Sequence, residues 1–130
     1  MLRSALLKEG VACTMLIAPS TPLERAARIA KHSEPFVYVV SRLGVTGLND
    51  AFDTCRVAWQ LRSLRELTAK PLALGFGVSE AQDIHAVAGL CDAVVVGSAL
   101  VQSYAGHCGT QAAEEAWRFC KRLFYSGERI

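Results

Sequence analysis

Glycines close several of the apolar runs in this 130-residue chain, and in such places glycine can serve phosphate chemistry. Gly75-Phe76-Gly77 ends one run and Gly97-Ser98 another, while the stretch from Ser41 to Gly47 follows a third. A glycine lets backbone N–H groups approach a ligand closely, and a helix starting just beyond adds the positive end of its dipole. Ser98 offers a hydroxyl to the same oxygens. Each glycine taken alone also has a plainer use, which is to satisfy a tight turn between strand and helix. Two consecutive glycine-ended runs near the end of the chain point further towards a ligand, because the last two loops of a (β/α)8 barrel form a recurrent phosphate site.

Proton chemistry is harder to find. None of the twelve acidic residues falls at such a run end. Asp92 opens its run, at the opposite rim, while Glu24, Asp53, Glu80 and Asp83 fall in helix first turns, where capping and the dipole account for them. His32, His85 and His107 form no ligand spacing. The polar candidates on the glycine-bearing rim are Tyr38, Ser41, Arg42 and Thr46; Tyr38 serves equally well as packing, and Arg42 as a solvated loop charge. The five cysteines are odd in number and hold no C-x-x-C pair, so they read as buried small hydrophobes rather than as disulfides or zinc ligands. The residues themselves describe a phosphate-binding surface without an obvious general acid or base.

The elements that must position these groups alternate along the chain. The runs at 12–19, 35–41, 71–77 and 92–98 are dense in Val, Leu, Ile and aromatic residues without polar alternation, which marks strands covered on both faces in a parallel sheet. Helix signals lie between them. Thr21, Pro22 and Glu24 spell a capping box with a proline at the first helical position, for a helix to about Lys31. Ser79 and Gln82 repeat that pattern ahead of Ile84, Val87 and Ala88. A third helix starts near Asp53 and turns Val57, Leu61 and Leu64 to one side; a fourth, over about 110–125, does the same with Ala113, Ala116, Trp117, Cys120, Leu123 and Phe124. A short leading helix and four strand–helix units make one α/β domain over residues 1–130. The segment at about 42–53 is longer and more polar than a strand-to-helix loop requires, so it reads as a mobile binding loop.

Composition excludes several classes. Hydrophobic residues make up 52% and charged residues 20%, so the chain is not disordered. A net charge of +2, with the charges scattered, gives no reason to expect a nucleic acid. No apolar run approaches the roughly 20 residues of a membrane span, so a cytoplasmic protein is expected.

The motifs S-x-x-G-V-T-G (41–47), G-F-G-V-S (75–79) and V-V-G-S-A (95–99), preceded by "LIAPSTPLERAARIA", resemble the second half of the tryptophan synthase alpha chain. The likeness runs over about residues 10–104, and its specificity lies in the combination and the separations. It implies the fifth to eighth strand–helix units of a (β/α)8 TIM barrel, a half-barrel. The family cleaves indole-3-glycerol phosphate to indole and glyceraldehyde 3-phosphate in tryptophan biosynthesis, in an alpha–beta heterotetramer. It has no cofactor of its own; pyridoxal phosphate belongs to the beta chain. By resemblance, Gly47, Gly77, Gly97 and Ser98 match the phosphate cradle, and Tyr38, Phe76 and Val95 the indole pocket. Arg42 and Gly44 fall in the loop that closes over substrate, and Thr46 is its threonine. Leu43 stands where the family often has a smaller residue.

The departure concerns catalysis. The family's general acid/base glutamate, and the aspartate that steadies the indole nitrogen, lie in a first-half stretch like E-L-G-x-P-F-S-D-P-x-A-D-G, and nothing here resembles it. Loss of a general acid or base costs about 10²–10⁴-fold in rate. The expectation is therefore a fragment of a carbon–carbon lyase subunit, inactive alone, with two open edge strands that favour self-association. The alternatives are a non-catalytic phosphate-binding half-barrel and another phosphate-sugar barrel enzyme, an isomerase or epimerase. The G-V-T-G loop speaks against the latter, since fold alone assigns no function.

Overall fold

Short runs of Val, Leu and Ile favour the extended backbone, where branched side chains pack against neighbours on a pleated surface. In the computed structural model, which describes residues 2–41, 53–75 and 77–125, four such runs form strands. They are β1 (Met15–Ile17), β2 (Val37–Val40), β3 (Leu72–Gly75) and β4 (Ala93–Val95), all parallel and in the order β1-β2-β3-β4. Sequential strands therefore lie side by side, each joined to the next through a helix. The helices are α1 (Leu2–Lys8), α2 (Leu23–His32), α3 (Thr54–Leu67), α4 (Ala81–Val87), α5 (Ser98–Ser103) and α6 (Gly109–Phe124). The expected leading helix and four strand–helix units are all present, with one addition: the last strand feeds a short helix, α5, before α6.

Register divides the side chains between two faces. Ile17, Val39 and Leu74 share one row, and Val37 and Leu72 another, on the face that meets α2, α3 and α4. With Ala26, Ala30, Val57, Leu61, Leu64 and Val87 they form the buried core. Burial of each larger aliphatic side chain contributes about 1.5–3 kcal/mol, so this single layer carries most of the stability. The other face holds Leu16, Tyr38, Ala73 and Ala93 in one row and Val40, Gly75 and Val95 in the next. Its flanks are open: Leu16 is 61% exposed and Val95 38%. The apolar runs are thus apolar on both faces, as expected, but among the described residues only one face is covered. Among the described residues each outer strand has a neighbour on one side only.

Two helix starts differ from the sequence expectation. Thr21 does not cap α2, because its hydroxyl accepts the Ala18 N–H at 3.1 Å; Pro22 takes the cap position with no side-chain bond. At α4 the cap is Glu80 rather than Ser79, and the answering residue is Asp83 rather than Gln82. The Asp83 carboxylate accepts the N–H groups of Ser79 and Glu80 at 2.9 and 3.0 Å, and a charged acceptor outcompetes an amide for two donors. Asp53 caps α3 as expected, accepting the Arg56 N–H at 3.0 Å.

The α6 stripe is split. Phe119 and Leu123 are buried, whereas Trp117 and Phe124 are 63% and 57% exposed. The cysteines also depart from expectation, since none is buried: Cys55 and Cys108 are exposed and the other three intermediate.

The strand starts are pinned by a polar network at the rim opposite the glycines. Asp92 accepts the Leu72 N–H at 2.8 Å and pairs with Arg65 at 2.5 Å. Arg65 also donates to the Lys70 carbonyl, and the Lys70 ammonium reaches the carbonyls of Lys31 and Ser33. Buried Ser33 accepts the Met15 N–H and donates to the Phe36 carbonyl, tying β1 to the approach to β2.

Candidate functional site

At the carboxyl ends of the strands the chain leaves the sheet at one level. Gly75 and Val95 are paired, so Gly77 and Gly97 each stand two residues beyond that pair. Val40 pairs with Gly75 on the other side, and the Ser41 N–H donates to the Gly75 carbonyl at 3.0 Å. The segment 42–52 follows Ser41 in the sequence. Arg42, Gly44, Thr46 and Gly47 fall within it and lie outside the described residues, as does Phe76.

The three described glycines of this rim have different physical reasons. A methyl group built on Gly75 would overlap the Tyr38 hydroxyl and lie 2.5 Å from Cζ, so this position is glycine because the Tyr38 ring occupies its space. Gly77 has φ +94°, a conformation that costs other residues about 1–2 kcal/mol. The turn alone accounts for it. Gly97 has φ −115° and ψ −85°, and a methyl group there would meet no described atom within 4 Å. Packing against the described residues does not require glycine at 97. Ser98 follows as the first residue of α5 and is exposed.

Tyr38 and Val95 lie on the same open face of the sheet, separated by the width of β3. Tyr38 extends over Gly75, whose own partner is Val95, so the three positions form one continuous patch. The patch is apolar with one hydroxyl, suited to a flat aromatic body. Sequence reasoning missed the contact between Tyr38 and Gly75. Aligning the runs 35–41 and 71–77 end to end would set residue 38 opposite 74, whereas the register sets Tyr38 opposite Ala73, on the same face as Gly75.

The electrostatics lie elsewhere. Asp92 has its pKa lowered, first by the Leu72 N–H and then by Arg65. Burial raises the Cys91 thiol, helped by the charge of Asp92. Both sit at the strand-start end, away from the glycine rim, and serve the framework. Among the described residues no cluster of three or more His, Cys, Asp or Glu side chains is placed to hold a metal ion.

Residues 1–123 match the family described as the tryptophan synthase alpha chain. The chain belongs to that family. The alpha chain of Rippkaea orientalis is 41% identical over 115 residues, covering 88% of this chain and 43% of the relative. That of Gloeobacter violaceus is 40% identical over 123 residues, covering 94% and 44%. Among solved structures, a mutant tryptophan synthase alpha-subunit from the hyperthermophile Pyrococcus furiosus superimposes with a TM-score of 0.76 at 30% identity, over 95% of this chain and 48% of that one. A chain from the tryptophan synthase a2b2 complex of the same organism gives 0.73 at 31% identity. The chain spans about half the length of the curated relatives it matches. Its sheet is half of a TIM barrel in the sense that the superposition covers half of each barrel chain. The tryptophan synthase alpha family is a lyase family of tryptophan biosynthesis.

Proposed function

We propose that this chain supplies the phosphate-binding half, and part of the indole pocket, of a tryptophan synthase alpha-type active site. The substrate is indole-3-glycerol phosphate, and the reaction is cleavage of its carbon–carbon bond to give indole and glyceraldehyde 3-phosphate. The observation that carries the reading is Gly97: a glycine that packing does not require, just beyond a strand end, followed by a serine that opens a helix. Such a position leaves the space beside the backbone free for an oxyanion, and Ser98 adds a donor. Gly77 and Gly47 complete the cradle in this reading, with Tyr38, Phe76 and Val95 against the indole ring and Arg42, Gly44 and Thr46 in the closing loop.

The chain's own groups bind and orient. Breaking the bond needs a proton donor at the indole carbon that departs and an acceptor for the proton of the hydroxyl whose carbon becomes the aldehyde. The carboxylates that follow the strand ends, Asp53 and Asp83, are engaged by backbone N–H groups at helix starts, and Glu80 stands at the cap of α4. In this reading the acid and base come from residues outside the chain. Pyridoxal phosphate is assigned to a beta chain partner, and the match to a chain of an a2b2 complex supports that partner. No described helix is long and apolar enough to cross a membrane, which fits the proposed cytoplasmic setting.

Calorimetric titration with glycerol 3-phosphate tests the reading. The parent chain binds it, and Ser98→Asp reduces the affinity at least tenfold by placing a negative charge at the cradle. Equal affinity in the two proteins would remove Ser98 from the site.

A further inference from the structure

The proposed cradle draws on two strand ends, and both are referred to one contact at the far end of the sheet. Gly77 follows β3 and Gly97 follows β4; Gly77 stands five residues beyond Leu72, and Gly97 five beyond Asp92. Both backbone groups of Leu72 end on Asp92. The Leu72 N–H donates to the Asp92 carboxylate at 2.8 Å, and the Leu72 carbonyl accepts the Asp92 N–H at 2.9 Å. Arg65 of α3 holds the same carboxylate oxygen at 2.5 Å and donates to the Lys70 carbonyl at 3.2 Å. One guanidinium thus spans the approaches to both strands.

The register of β4 has little else to set it. The strand has three residues, and a ladder that short supplies few bonds against slippage. A slip of one residue moves the chain by about 3.3 Å and turns every side chain of the strand to the other face. Hydrogen bonds to an oxygen hold only over about 2.5–3.2 Å between heavy atoms. A displacement well short of one residue therefore takes Gly97 and Ser98 out of reach of an oxyanion that also meets Gly77.

We infer that Asp92, held by Arg65, is a positioning residue for the phosphate cradle: it fixes β4 against β3 and so sets the Gly97 N–H and the Ser98 hydroxyl at the height of Gly77. The chemistry of the contact suits that task. The side chains of Arg65 and Asp92 are 40% and 50% exposed, so solvent screens the attraction between their charges. The direction of the Leu72 N–H, in contrast, fixes where the carboxylate must stand. The inference rests on the proposed function for the nature of the ligand, whereas the placing of Gly97 is measured without one.

Nuclear magnetic resonance on the isotope-labelled full chain provides the test, together with calorimetric titration of glycerol 3-phosphate. Asp92→Ala is expected to shift the amide resonances of Gly97 and Ser98, roughly 16 Å along the chain from the substitution, and to weaken binding about tenfold. A loss of stability alone leaves the resonances of the folded state where they are. Asp92→Asn keeps an acceptor for the Leu72 N–H, so it restores both resonances and most of the affinity. Arg65→Met releases the carboxylate without removing it and moves the same two amides less; it carries the test where the alanine protein does not fold. Gly97 and Ser98 amides that stay at their parent positions in folded Asp92→Ala, or in Arg65→Met in its place, overturn the inference. So does a loss of affinity that Asp92→Asn shares in full. A parent without affinity for glycerol 3-phosphate overturns the proposed function instead, and the amide shifts still decide whether Asp92 places Gly97.

Discussion

At the scale of single residues, the rim glycines separate into three cases that their identity alone does not distinguish. Gly75 clears space for Tyr38, Gly77 adopts a left-handed backbone, and Gly97 does neither. Substitution should divide them accordingly. Gly77→Ala is expected to lower stability by about 1–2 kcal/mol through backbone strain. Gly97→Ala should cost less than about 1 kcal/mol, the scale of a cap change, yet weaken glycerol 3-phosphate binding about tenfold by filling the approach to the backbone. Thermal melts and calorimetry on the two variants read these separately. A Gly97→Ala protein that binds as well as the parent would assign that glycine no part in a cradle. That glycines stand at the strand ends was legible in the sequence; the reason for each glycine was not, because φ and the position of a ring on the neighbouring strand are set by tertiary packing.

At the scale of elements, the four apolar runs were sufficient to place all four strands, since continuous Val, Leu and Ile segments bounded by helix starts have few other uses. The caps were less legible. Thr21 and Ser79 have the right residue type, but the Thr21 hydroxyl is taken by the Ala18 N–H and Asp83 claims the donors ahead of α4. The exposed Trp117 and Phe124 of α6 show a further limit: an apolar stripe at helical spacing is not buried along its whole width by the described residues. The link between β3 and β4 carries a pH signature. Asp92 has a lowered pKa, so its contribution is fully present above the ordinary value of 3.8 and is lost as pH falls through the folded value. Asp92→Asn keeps an acceptor for the Leu72 N–H but loses the charge pair with Arg65. Urea midpoints measured from pH 7 down to about 3 should therefore fall more steeply in the parent than in the variant. Parallel curves would show that the pair contributes nothing to the junction.

At the scale of the whole molecule, the described residues form a parallel sheet with one covered face and two outer strands without a second neighbour, half of a barrel. The family membership and the superposition on barrel chains agree with that description, and the chain's length relative to its relatives sets the same proportion. The proposed function gives phosphate and indole recognition to this half and the two carboxylates to residues outside it. The most direct measurement is indole release from indole-3-glycerol phosphate by this chain alone, and again in a one-to-one complex with a polypeptide carrying the family's first four strand–helix units. The account predicts no indole above background from the chain alone and measurable release from the complex. Turnover by the chain alone, or a well-formed complex that binds the substrate and releases nothing, would contradict it.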